Sequence, residues 1–197
     1  MKNVFTLIMF LAAFGCSNET ELQRSIFIPD PEFPDLPAYS EWGYNTFGAY
    51  YDRQVLVSND IEVPVKVIRE GTKTSLVFTG QMGVGYHRSN TFVITIVFAN
   101  FQPETYADLL TLHNTSLDLT DPSYDVIMGE RVASDTAEIL EGSFHFVRAQ
   151  HLLVDEVSQE AILSGTFEFQ ALIKGIPITV SNGRFDVGIG EFNFFKY

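Results

Sequence analysis

Only one cysteine, Cys16, stands in the 197 residues. No disulfide can staple this chain to itself, so its stability must come from its core. Cations are scarce: 12 Lys and Arg face 25 Asp and Glu, a net charge of −13. A chain this acidic lacks the basic surface that a phosphate backbone needs, so nucleic acid and direct adhesion to anionic lipid are not expected. Catalytic templates are missing too. There is no G-x-S-x-G elbow, no H-E-x-x-H, no GxxxxGK[ST], and no cysteine beyond position 16 to act as nucleophile. The glycines of "GQMGVGYHR" at 80–88 follow neither dinucleotide nor kinase spacing and read as a hairpin loop. No cofactor and no metal are expected.

What the chain does have begins with a leader. "MKNVFTLIMFLAAFG" carries one lysine and then an apolar run over residues 4–14. That run has the size of a secretory h-region and is too short to cross a bilayer, which takes about 20 residues. It ends in Ala13-Phe14-Gly15-Cys16, and Cys16 sits at the boundary with the polar "SNETE". This ending resembles the lipobox of bacterial lipoproteins, in which the cysteine thiol accepts a diacylglyceryl group and becomes residue one. The resemblance implies a signal peptide over 1–15, lipidation of Cys16, and a membrane partner held through that anchor. Removal of 1–15 leaves eleven cations against 25 acids, net −14. "SNETE" also resembles the acidic export signal that sends lipoproteins of Bacteroidota to the outer face of the outer membrane.

Residues 16–40 follow as the lipidated cysteine and a tether. Four of the eight prolines fall here (Pro29, Pro31, Pro34, Pro37), with five acids against one arginine. Such a composition favours extended polyproline geometry, and some 24 residues would hold a domain up to about 70 Å from the membrane. Residues 41–197 form a single domain of ordinary size. Fifteen of the eighteen phenylalanines lie beyond the leader and supply its core.

The domain reads as all-β, an antiparallel meander forming a β-sandwich or barrel-like body with one short α-helix. "IEVPVKVI", "TSLVFTG" and "TFVITIVFA" alternate apolar and polar positions between turn residues. Pro64 would delete a ladder donor, placing its strand at an edge or bulge. "PETYADLLTLHN" at 103–114 has Pro103 at a first helical position, then Tyr106, Leu109, Leu110 and His113 at helical spacing. It predicts an amphipathic helix that plugs one end or face of the sheet. Toward the C-terminus come "GSFHF" at 142–146, "GTFEF" at 165–169 and "GRFDV" at 183–187. Side-chain alternation turns Phe144, Phe146, Phe167, Phe169, Phe185 and Val187 inward, and His145, Glu168 and Asp186 outward. The glycines predict bends or bulges at strand starts.

"EWGYNTFGAYYD" at 41–52, "ILSGTFEFQAL" at 162–172 and "ITVSNGRFDV" at 178–187 together resemble a family of small Bacteroidota surface lipoproteins of unassigned function. The resemblance implies an all-β domain at the cell surface and carries over no catalytic residue.

Three groups of side chains could carry chemistry. His145, Glu168 and Asp186 would make a row across one face if their strands are neighbours in register, about 5 Å apart; the alternative is a solvated face with modest charge pairing. Trp42, Tyr44, Tyr50 and Tyr51 are a candidate aromatic patch for sugar rings, or simply packing. Asp118, Asp121 and Asp125 lack EF-hand spacing and read as turn chemistry. The leading expectation is a non-catalytic, ligand- or partner-binding β-domain displayed on the envelope, its partner a glycan or an envelope protein. The alternatives are a glycan-acting hydrolase and a lipid-binding barrel-type carrier.

Overall fold

The computed structural model describes residues 24–58, 63–83, 90–154 and 157–197. Cys16, the leader and most of the glycine loop at 80–88 lie outside these residues. Eleven strands make one sheet: β1 (Thr46–Tyr51), β2 (Gln54–Val57), β3 (Val65–Glu70), β4 (Lys73–Met82), β5 (Asn90–Phe98), β6 (Thr115–Asp118), β7 (Tyr124–Glu130), β8 (Ala133–Val154), β9 (Val157–Ile173), β10 (Ile176–Ile189) and β11 (Phe194–Lys196). Eight of them close into an antiparallel barrel in the order β1-β2-β4-β5-β7-β8-β9-β10 and back to β1. Closure leaves these strands no free edge. Of the sandwich and the barrel, the chain forms the barrel.

The remaining strands extend the wall. β3 shares an edge of β4 with β2, and the short β11 runs parallel beside it. β6 shares an edge of β8 with β7. Pro64 falls just before β3, where its carbonyl accepts the Thr79 N–H at 2.7 Å. Its missing donor therefore costs no ladder bond, and β3 is flanked on both sides.

All six residues assigned to the interior are buried. Phe47, Phe78, Phe144, Phe146, Phe167 and Phe185 fill the barrel as one ring network, with centroids 5.0 Å apart for Phe144–Phe146 and Phe144–Phe185 and 5.8 Å for Phe47–Phe167. The repeat glycines lie inside long strands, not at their starts. Gly165 sits across from Phe185 and Gly183 across from Phe167. A Cβ on Gly165 would come within 2.6 Å of the Phe185 ring, and one on Gly183 within 2.5 Å of the Phe167 ring. Each glycine is the hollow that receives a partner's ring.

The predicted helix is present but tighter and later, a 3₁₀ helix over Tyr106–Leu112. The backbone N–H groups of Glu104 and Thr105 both donate to Asp108 Oδ2, at 2.8 and 2.9 Å, so the start is set by Asp108 rather than by Pro103. With three residues per turn, Leu109 and Leu112 align on one face and both are buried in the core. His113 Nδ1 then accepts the Ala149 N–H at 3.2 Å, tying the helix end to β8.

The segment expected as an extended spacer is folded against the barrel from residue 24 onward. Pro29 and Pro37 bridge each other, with Asp30 N–H donating to the Leu36 carbonyl and Ala38 N–H to that of Ile28. Asp30 Oδ1 accepts the N–H groups of Glu32 and Phe33, both at 2.9 Å, which turns the chain. Leu36 is fully buried against Val55 and Val57, with Phe27, Phe33 and Tyr50 around it. The prolines do not stiffen a leash here; they shape a strap.

Candidate functional site

β10 fixes the strap with alternate residues. Its inward side chains, Phe185 and Val187, are core; its outward ones, Arg184 and Asp186, face the strap. Arg184 Nη1 lies 2.6 Å from Asp30 Oδ2, and its guanidinium sits 5.4 Å from the centre of the Phe33 ring. The backbone donors of Phe33 and Glu32 and the charge of Arg184 together hold the Asp30 carboxyl below the usual 3.8, the Phe33 bond being the largest cause and burial acting against it.

Asp186 is the centre of the lock. Its carboxylate accepts the backbone N–H groups of Trp42 (3.1 Å), Gly43 (2.8 Å) and Tyr44 (3.1 Å) and the Ser164 hydroxyl (3.0 Å). A fifth donor is the Ser40 hydroxyl. Next along the strand, Gly188 N–H donates to Asn45 Oδ1 at 2.9 Å. Gly48 completes the fit, because a Cβ there would stand 2.6 Å from Pro37 Cδ.

Trp42, Gly43, Tyr44, Asn45, Gly48, Ser164, Arg184 and Asp186 all fall in the three stretches that carried the family resemblance. β1 and β10 pair Thr46 with Asp186, Phe47 with Phe185 and Gly48 with Arg184. β10 and β9 pair Asp186 with Ser164 and Phe185 with Gly165. "NTFG", "SGTF" and "GRFD" thus meet on adjacent strands, building core on one side and lock on the other.

The predicted row does not form. Asp186 points outward from the barrel as expected but is 1% exposed, since residues 40–44 cover it. Its neighbour on β9 is Ser164, whereas Glu168 pairs with Ser143 and His145 with Thr166. Ladder register places His145 beside position 166 of β9 and Asp186 beside position 164, so the three lie two residues apart along the sheet and not on one rung. His145 and Glu168 share an open polar wall, where His145 Nε2 and Ser143 Oγ are 3.0 Å apart. Shallow depressions of about 490 and 430 Å³ flank Glu168, the second bordered by Tyr39, His145 and Arg184.

The aromatic patch is also divided. Tyr51 packs on the barrel core with its ring 5.1 Å from Phe92, and Tyr50 packs under the strap, 6.1 Å from Phe33. Adjacent residues of one strand face opposite sides. Trp42 stands 73% exposed beside the lock, and Tyr44 is half-buried. Asp118 accepts the Thr120 N–H and Asp121 the Ser123 N–H, so both are turn residues.

One buried acid had no sequence signal. Glu160 lies on the outer side of β9, 3% exposed, over Gly188, where a Cβ would meet its Oε2 at 2.1 Å. Among the described residues its carboxyl has no hydrogen-bond partner, and burial pushes its pKa up to about 7. Among the described residues no cluster of His, Cys, Asp and Glu could hold a metal ion.

Fold and lock define the class: an all-β closed barrel with a filled interior and an N-terminal strap clamped to its outer wall. Comparison with known protein families, curated proteins and solved structures finds no match to this chain.

Proposed function

We propose that this chain is an envelope lipoprotein, anchored to the outer membrane through Cys16, whose barrel is a non-catalytic scaffold presenting its outer wall to a ligand or partner. The observation that carries the reading is the filled interior. A carrier needs a lumen, and here six phenylalanine rings occupy it. A glycosidase needs two carboxyls roughly 5 to 9.5 Å apart flanking a cleft. Here the Asp186 carboxylate is engaged by five donors, and Glu168 stands on an open wall. The residues shared with the resembling lipoproteins serve the scaffold, which supports a role in display over one in turnover.

Growth of the source cells with an alkyne fatty acid tests the anchor. The wild-type protein is expected to take up label and partition with outer membranes, and Cys16→Ser to do neither. Unlabelled wild-type protein, or protein that keeps residues 1–15, overturns the anchoring. Native mass spectrometry of the recovered protein tests the scaffold, because a retained lipid beyond the covalent acyl chains restores the carrier.

A further inference from the structure

The outer wall holds a further concavity, of about 500 Å³, where β3, β4 and β5 meet the β7–β8 turn. Its floor is aliphatic: Val63, Pro64, Ile68, Val77 and Val93. Val93 and Thr95 lie on the outward side of β5, alternating with Phe92, Ile94 and Ile96 of the core, yet they are only 8% and 9% exposed. The curvature of the wall has already withdrawn them from water.

The charge of this groove is opposite to that of the chain. Among the described residues Lys66 and Arg131 line it and no acid does, in a protein with 25 acids. Among the described residues neither cation makes an ion pair, whereas Arg69, Arg148, Lys174, Arg184 and Lys196 all do. Ladder register sets them apart. Lys66 pairs with Val77, which pairs with Thr95, while the Arg131 N–H donates to the Thr91 carbonyl. Four residues of β5 separate those rows, roughly 13 Å along the strand. Hydroxyls of Thr91 and Ser134 and the Gln81 amide border the groove. Among the described residues no aromatic ring lines it, so they offer no stacking platform of the kind a neutral-sugar site uses.

We propose that this groove binds an aliphatic carboxylate. Its chain lies on the Val77 and Val93 floor, and its head is held at the Arg131 end, where a guanidinium can take a carboxylate in bidentate fashion. Lys66 lends its stem to the apolar floor and its charge to the local field. The assignment rests on the barrel acting as a binding scaffold. It names both the wall that binds and the ligand's chemistry.

Titration of the ¹⁵N-labelled full-length protein with octanoate, octylammonium and octyl glucoside, at equal ionic strength, tests it. Octanoate is expected to shift the amides of Thr79, Val93 and Thr95 saturably, and the other two probes to leave them in place. Arg131→Gln should weaken octanoate roughly tenfold, the worth of one charge-assisted hydrogen bond. Lys66→Gln should weaken it less, and Arg53→Gln, on the distant β1–β2 turn, not at all. The proposal is overturned by no saturable shift with octanoate, by equal shifts with octyl glucoside, or by unchanged affinity in both Arg131→Gln and Lys66→Gln. Such a failure with acylation of Cys16 intact would remove the groove and leave the anchor standing.

Discussion

At the scale of single residues, two buried acids behave in opposite ways. Asp186 has five donors, so removing its charge strands buried N–H groups with no water to replace it. Asp186→Asn turns an amide donor toward those donors and is expected to cost about 2–3 kcal/mol, read as a lowered urea midpoint. Ser164→Ala, which removes one donor and leaves the charge, should cost only about 1 kcal/mol. Glu160 has no hydrogen-bond partner among the described residues, and its pKa is raised from 4.5 to about 7. A raised carboxyl favours the folded state while it is protonated. That contribution is therefore whole below pH 4.5 and is lost as pH climbs through 7. The wild type should lose on the order of 3 kcal/mol between pH 5 and pH 8, and Glu160→Gln should flatten that stretch of the profile. An equal slope in both proteins would mean that the carboxyl finds a partner in solution. Neither role was legible in the sequence, because burial on the outside of a barrel depends on what lies over the strand, and alternation reports only which side a residue faces.

At the scale of elements, the strap is held at few points, and they can be released one at a time. Arg184→Glu sets an acid against Asp30 and removes the cation from the Phe33 ring. Amides of Ile26, Asp30, Leu36 and Ala38 should then exchange faster with deuterium while those of β4 and β5 keep their protection. Equal acceleration in both groups would show that the strap and the barrel open as one unit. The strands were legible because each repeats a two-residue period with β-branched or aromatic residues, and the inward phenylalanines followed from that period. The strap was not. Its prolines and acids read as spacer, while the features that fold it are a single Asx turn at Asp30 and the buried side chains of Leu36 and Pro37. The His145–Glu168–Asp186 row failed for another reason: local pattern fixes a residue's face, whereas register across strands is set by pairing between distant segments and leaves no mark in composition. The helix was found in its segment, but the tighter winding left no mark, because apolar residues three apart, such as Leu109 and Leu112, suit both windings.

At the scale of the whole molecule, the barrel is closed by a pair of strands drawn from opposite ends of the domain, β1 and β10, around one ring network. Phe144 touches Phe78, Phe146, Phe167 and Phe185. Phe144→Ala should therefore cost about 3–5 kcal/mol and broaden the thermal transition, measured by calorimetry. If the cost is below about 1 kcal/mol, the cavity has collapsed and the interior is softer than its packing implies. The strap also bears on the anchor proposed at Cys16. The backbone is already fastened at Ile26, whose N–H donates to the Tyr44 carbonyl at 2.8 Å. Under the anchor proposed at Cys16, ten residue steps separate it from Ile26, a reach of at most roughly 35 Å. A body moored that short would sweep a narrow hemisphere close to the lipid headgroups, and its companions would have to come to the bilayer to meet it.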